Sequence, residues 1–111
     1  MAKSPVIKRA IKLLAVCRDP RVRSAILARG PDQVIKTICN AALNIERGDI
    51  HLDKKKRSVF AKHRAHISKL TSKKLSVGQK RKFLNQKGGI WPILPVLLST
   101  ALGALGSALF T

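Results

Sequence analysis

Pro31-Asp32-Gln33-Val34-Ile35-Lys36-Thr37-Ile38-Cys39-Asn40-Ala41-Ala42-Leu43-Asn44-Ile45-Glu46-Arg47-Gly48 is the stretch whose pattern settles the fold class. Val34, Ile35, Ile38, Cys39, Ala42, Leu43 and Ile45 recur at the helical period, which places them along one face. Pro31-Asp32 supplies a start, and Gly48 supplies a stop. Working back, Asp19-Pro20 repeats the start signal for a helix from Arg21 to about Arg29, ended by Gly30. Ser4 and Pro5 do the same for a helix to about Cys17, with Ile7, Ala10, Ile11, Leu14 and Cys17 on the helical period and Lys8, Arg9 and Lys12 on other faces. No stretch alternates apolar and polar residues as a half-buried strand would. The expectation is an all-α chain whose residues 1–53 form one small helical unit.

Working forward, Asp49-Ile50-His51-Leu52 reads as a connector. Asp53 can cap a helix over Lys54–Leu70, its carboxylate favoured by the helix dipole. Phe60, His63, Ile67 and Leu70 fall on one side of that helix, and Lys55, Lys62 and Lys69 recur every seven residues on another. Ser76 with Gln79 forms a capping box for a further basic helix. Lys80, Arg81 and Lys82 then lie in its first turns, where positive charge opposes the dipole and an external anion is expected. Gly88-Gly89 breaks the pattern. From Ile90 to Thr111 no side chain is charged. Pro92 and Pro95 suit an extended lead-in and a helix start. As a helix of 22 residues, that tail would reach about 33 Å, enough to cross a hydrocarbon core. The expected organisation is therefore a helical unit over 1–53, a basic segment over 54–89 and an apolar helical tail over 90–111.

Charge separates these segments sharply. The 111 residues hold 23 Lys+Arg against 5 Asp+Glu, a formal net charge of +18. Residues 1–53 carry 10 of the basic side chains and all 5 acidic ones, and residues 54–89 carry the other 13 basic ones. A charge run is commonly just a solvated face, but a run with no acid to balance it points to a polyanion. Lys54, Lys55, Lys56, Arg57, Lys62, Arg64, Lys69, Lys73, Lys74, Lys80, Arg81, Lys82 and Lys87 are the candidate phosphate contacts. Aromatic residues make up 4% of the chain and Tyr is absent, so there is no set of rings for stacking on single-stranded bases. Binding to nucleic acid would rest on phosphates, with strong salt dependence and little sequence preference.

Little else in the chain suggests chemistry. His63 and His66 stand one turn apart, the spacing of two metal ligands, yet neither His51 nor either cysteine is spaced to complete a site. Cys17 and Cys39 each sit among apolar residues and read as small buried hydrophobes in a reducing compartment, with a disulfide left open. No nucleophile triad or carboxylate pair is credible, and Gly88-Gly89 lacks the Lys-Ser/Thr that follows a P-loop. No enzyme activity, metal or cofactor is expected. Met1–Lys12 contains no uninterrupted apolar run, so no secretory signal is expected there. Gly88-Gly89 serves equally as a hinge or as an unhindered substrate for a protease cleft.

Lys87-Gly88-Gly89-Ile90-Trp91-Pro92-Ile93-Leu94-Pro95-Val96-Leu97-Leu98 and the Ala/Leu/Gly run after it resemble the end of the adenovirus late core precursors (pX), from which the DNA-condensing peptide mu is made. The resemblance spans about residues 54–111. Residues 40–45 and 69–74 are similar to the versions carried by adintoviruses and Polinton/Maverick elements. The resemblance implies a virion core protein in the host nucleus, bound to packaged double-stranded DNA. It also implies processing by a viral maturation protease that cuts after Gly-Gly with an apolar residue or an amide at the fourth position back. Gln86-Lys87-Gly88-Gly89, followed by Ile90, fits that requirement. Two departures stand out: the basic segment is Lys-rich rather than Arg-rich, and a helical half precedes it. Lys meets phosphate as a point charge without a bidentate fork, which weakens the case for tight condensation by one peptide. A second expectation, from charge and hydropathy, is a membrane-active capsid-interior protein. Its cationic helices would meet anionic lipid while 90–111 inserted into a membrane or met the capsid interior.

Overall fold

A computed structural model describes residues 5–17, 19–87 and 93–106, and among these all regular structure is helical. Seven helices follow in order: α1 (Pro5–Val16), α2 (Pro20–Arg29), α3 (Asp32–Glu46), α4 (Lys54–Lys62), α5 (Arg64–Thr71), α6 (Val77–Lys87) and α7 (Ile93–Leu105). The all-α expectation holds.

Local chemistry places most of the boundaries. Asp19 Oδ1 accepts from the Arg21 amide at 2.9 Å, and Pro20 occupies the first position of α2, where a missing N–H costs nothing. The Gly30 amide closes α2 on the Ile26 carbonyl at 2.8 Å. A Cβ at Gly30 would stand 2.5 Å from that same oxygen, so only glycine allows this approach. Gly48, at φ 78°, ends α3 in the left-handed region. Its amide donates to Ile45 O (3.1 Å), and the Asp49 amide donates to Asn44 O (3.0 Å). That pair of bonds is the Schellman arrangement, and it satisfies two carbonyls at the helix end. The capping box of α6 is reciprocal: Ser76 N–H donates to Gln79 Oε1 at 2.8 Å and Gln79 N–H to Ser76 Oγ at 3.1 Å.

One expected element divides. The helix anticipated over Lys54–Leu70 breaks at His63 (φ −112°, ψ 21°), whose amide turns to Phe60 O at 3.1 Å in a tighter turn. The two halves answer to different anchors. α5 buries Ile67 and Leu70 and packs on α3, whereas Phe60 is the one buried side chain of α4. Tertiary packing therefore interrupts a pattern that local periodicity would have continued.

α3 is the hub, packed by α1, α5, α6 and α7. Val34, Ile35, Thr37, Ile38, Ala41, Ala42 and Ile45 are all buried, a much wider face than one amphipathic stripe. Thr37 is tolerated inside because its Oγ1 donates to Gln33 O at 2.7 Å. α2 packs on α6, and α1 packs on α7.

The last helix is a core element. Ile93, Leu94, Leu97, Leu98 and Ala101 are buried in the same hydrophobic cluster as Ile11, Leu14, Ile38, Leu70 and Leu84. Residues 1–53, 54–89 and 90–111, so distinct in charge and hydropathy, thus contribute to one cluster. The Cα radius of gyration, 12.8 Å, agrees with the roughly 13 Å expected of a compact chain of this length. α7 covers 13 residues, fewer than the tail allowed for, and among the described residues no helix is long and apolar enough to cross a membrane.

If α7 holds the core, Leu98→Ala should lower unfolding stability by about 2–5 kcal/mol in urea titration. Val6→Ala, at an exposed position of α1, should change it by less than about 0.5 kcal/mol.

Candidate nucleic-acid interface

The connector after α3 delivers Asp53 to the start of α4, where its Oδ1 accepts from the Lys56 amide at 2.8 Å. That carboxylate is spent on the helix end, and no acidic residue follows it in the sequence. Lys54, Lys55, Lys56, Arg57 and Lys62 on α4 are all exposed, as are Arg64 and Lys69 on α5. Lys73 and Lys74 in the α5–α6 connection and Lys82 on α6 are exposed as well. α4 carries the densest part of this array and is the least embedded of the helices that bear it.

Arg57 on α4 and Arg64 on α5, on either side of the break at His63, border one groove. A cavity of about 400 Å³ between the end of α3, α4 and α5 has Arg57 and Arg64 among its lining residues and Ile45, Phe60 and Ile67 as its apolar floor. Arg57 is steadied by donating from Nη2 to Leu52 O at 3.1 Å. Glu46, on the same cavity, accepts from Ser68 Oγ (3.1 Å) and Thr71 Oγ1 (2.8 Å), which ties α5 to the end of α3. Arg57 and Arg64 thus share one groove with the Glu46 carboxylate, and both arginines are exposed.

Arg81 departs from the expectation that the early cations of α6 await an external anion. Its Nη2 meets Asp32 Oδ1 at 2.7 Å, its Nη1 donates to Leu27 O at 2.9 Å, and its side chain is only 19% exposed. It clamps α6 to the junction of α2 and α3. No signal in the sequence singles out this pairing, since Arg29 and Lys36 stand three residues before Asp32 and four after it. Lys80 is half-buried and lies near Cys39. Burial pushes the Cys39 thiol up, and the Lys80 charge offsets that in part. Both cysteines are free, and both are only partly buried rather than enclosed.

Lys69 Nζ lies 5.1 Å from the centre of the Phe83 ring, a cation–π contact that leaves the lysine exposed. His66 stands 5.7 Å from Phe83 and 5.8 Å from His63, ring to ring. Among the described residues no three metal-ligating side chains come together. The helix α6 runs through Gln86 and Lys87, but their side chains lie outside the described residues. So do Gly88, Gly89 and Ile90, where the expected cleavage falls. Comparison of the chain with family models, with curated proteins and with solved structures gives no match.

Two substitutions separate gripping from holding. If the exposed cations meet duplex DNA, Lys55→Gln should make log K against log salt shallower by about 1 without altering the urea midpoint. Arg81→Gln should leave that slope alone and lower stability by about 1 kcal/mol, because Leu27 O and Asp32 lose their donor.

Proposed function

We propose that this chain is a structural DNA-binding protein of a virus or virus-like element, a core protein that neutralises packaged double-stranded DNA. The observation that carries the reading is the run of 13 basic and no acidic side chains over 54–89. The exposure of Lys54–Arg57, Lys62, Arg64, Lys69, Lys73, Lys74 and Lys82 supports it, because these cations have little internal negative charge to answer them. The resemblance to the adenoviral core precursors agrees with it and adds the virion and the host nucleus as its place. The reading involves no catalysis and no cofactor.

Binding of this kind is tested by its salt dependence. If about eight phosphates are contacted, log K for duplex DNA should fall with log salt at a slope near −7. A flat response, or a strong preference for one sequence, would overturn the proposal.

Processing belongs to the same reading. A maturation protease would cut between Gly89 and Ile90, with Gln86 as the amide four positions back from the cut. The bond falls in sequence between the last residue of α6 and the first of α7. Burial of Ile93, Leu94, Leu97 and Leu98 against the rest of the core argues that the cut piece stays docked rather than leaving at once. After cleavage, fragments 1–89 and 90–111 should co-elute in native buffer and separate in urea, and Gly89→Val should block the cut. Mature particles containing only the intact 111-residue chain would refute the proposed processing.

The alternative, a membrane-active protein acting through its tail, requires α7 to leave α1 and α3. It would then surrender the burial that Leu97 and Leu98 now have, at a cost of roughly 1.5–3 kcal/mol for each such side chain.

A further inference from the structure

We infer that Ser58 is a phosphorylation site whose phosphate is held by lysines of α4 and thereby withdraws them from DNA. The serine follows Lys54-Lys55-Lys56-Arg57, the longest unbroken basic run of the chain. Its hydroxyl is exposed, and among the described residues no hydrogen bond occupies it. Every other hydroxyl among those residues is taken or covered. Ser68 and Thr71 donate to Glu46, and Ser99 donates to the Ala15 carbonyl. Ser72 and Ser76 accept from the Lys74 and Gln79 amides, at a turn and at a helix start. Thr37 and Thr100 are buried, and Ser24 is half-buried.

Two features make this serine a substrate. A kinase cleft takes its target as an extended segment, so α4 must open locally. Phe60 is the one buried side chain of α4, which keeps the cost of that opening low. The four cations before Ser58 suit a cleft lined with carboxylates, and charge pattern is one way kinases sort substrates. Ser58 Oγ attacks the γ-phosphorus of ATP, the bond to ADP breaks, and the hydroxyl proton passes to a carboxylate of the kinase. The phosphoserine carries a charge of about −1.5 to −2 and three acceptor oxygens. Lys54 and Lys55 stand four and three residues before it and Lys62 four after it, so all three share its side of the re-formed helix. All three are exposed and free to turn to the phosphate. Asp53, the nearest acid in the sequence, is already held by the Lys56 amide. The loss of DNA contact rests on the DNA-binding reading above, whereas modification of Ser58 does not.

The test treats the full chain, free of DNA, with ATP, magnesium and a serine/threonine kinase that prefers basic residues before its target. Intact mass and fragment sequencing should place the first phosphoryl group on Ser58, and Ser58→Ala should remove that first event. A first phosphoryl group on any other hydroxyl, or no uptake, would overturn the inference. The singly phosphorylated chain is then titrated with short duplex DNA. Log K against log salt should become shallower by about 2, since two of the cations now answer the phosphate. The urea midpoint should not fall, because the phosphate is paired on an intact helix. Kinase-treated Ser58→Ala protein should bind DNA as the untreated chain does. An unchanged slope, or a lower urea midpoint, would overturn the inference. If the untreated chain itself shows no salt dependence, the DNA-binding reading fails and the withdrawal of lysines with it, while the mass of the Ser58 fragment still reads the modification.

Discussion

Burial of α7 against α1 and α3 is the interaction on which the rest of this structure leans. A chain with a formal charge of +18 repels itself, and a chain this short has little apolar area with which to resist. The uncharged tail supplies what the cationic middle lacks. Ile93, Leu94, Leu97, Leu98 and Ala101 close the core beside α1 and α3, while α5 and α6 close α3 on other sides. Fully burying each large aliphatic residue contributes roughly 1.5–3 kcal/mol, so Ile93, Leu94, Leu97 and Leu98 together weigh heavily against a total stability of about 5–15 kcal/mol. α7 is better understood as structural material than as a signal.

With the core so closed, the polycation can be presented on helices rather than on a loose chain. α5 and α6 are anchored through Ile67, Leu70, Phe83 and Leu84, and α4 projects from them on Phe60. On the proposed reading, ordering the cations in advance would reduce the side-chain and backbone freedom lost on binding phosphate. The same packing withdraws Arg81 from the array, because α6 can be held against α2 and α3 only if Asp32 and the Leu27 carbonyl find a donor. The Arg81–Asp32 pair fixes α6 to the start of α3. Glu46 ties α5 to the end of α3 without pairing a charge, as the acceptor for the hydroxyls of Ser68 and Thr71.

The sequence by itself determined the class of fold and most helix ends, because those depend on neighbours a few residues away. Asp19 before Pro20, Ser76 with Gln79, and Gly48 after α3 each act within one turn, and each is found as its chemistry requires. The charge inventory of the candidate interface was legible for the same reason, since thirteen cations and no acid in one segment need no coordinates to count. Only the tertiary structure decided the break at His63, the burial of α7 and the loss of Arg81 to Asp32. Each joins residues far apart in the chain: Phe60 and Ile67 to the core around α3, Leu98 to the partners of α1, and Arg81 to a residue 49 positions earlier. The standing of Ser58 was hidden for a related reason. Helical periodicity puts it beside Lys54, Lys55 and Lys62, but that Ser68 and Thr71 are taken by Glu46 depends on where α3 sits, and local spacing carries no record of that.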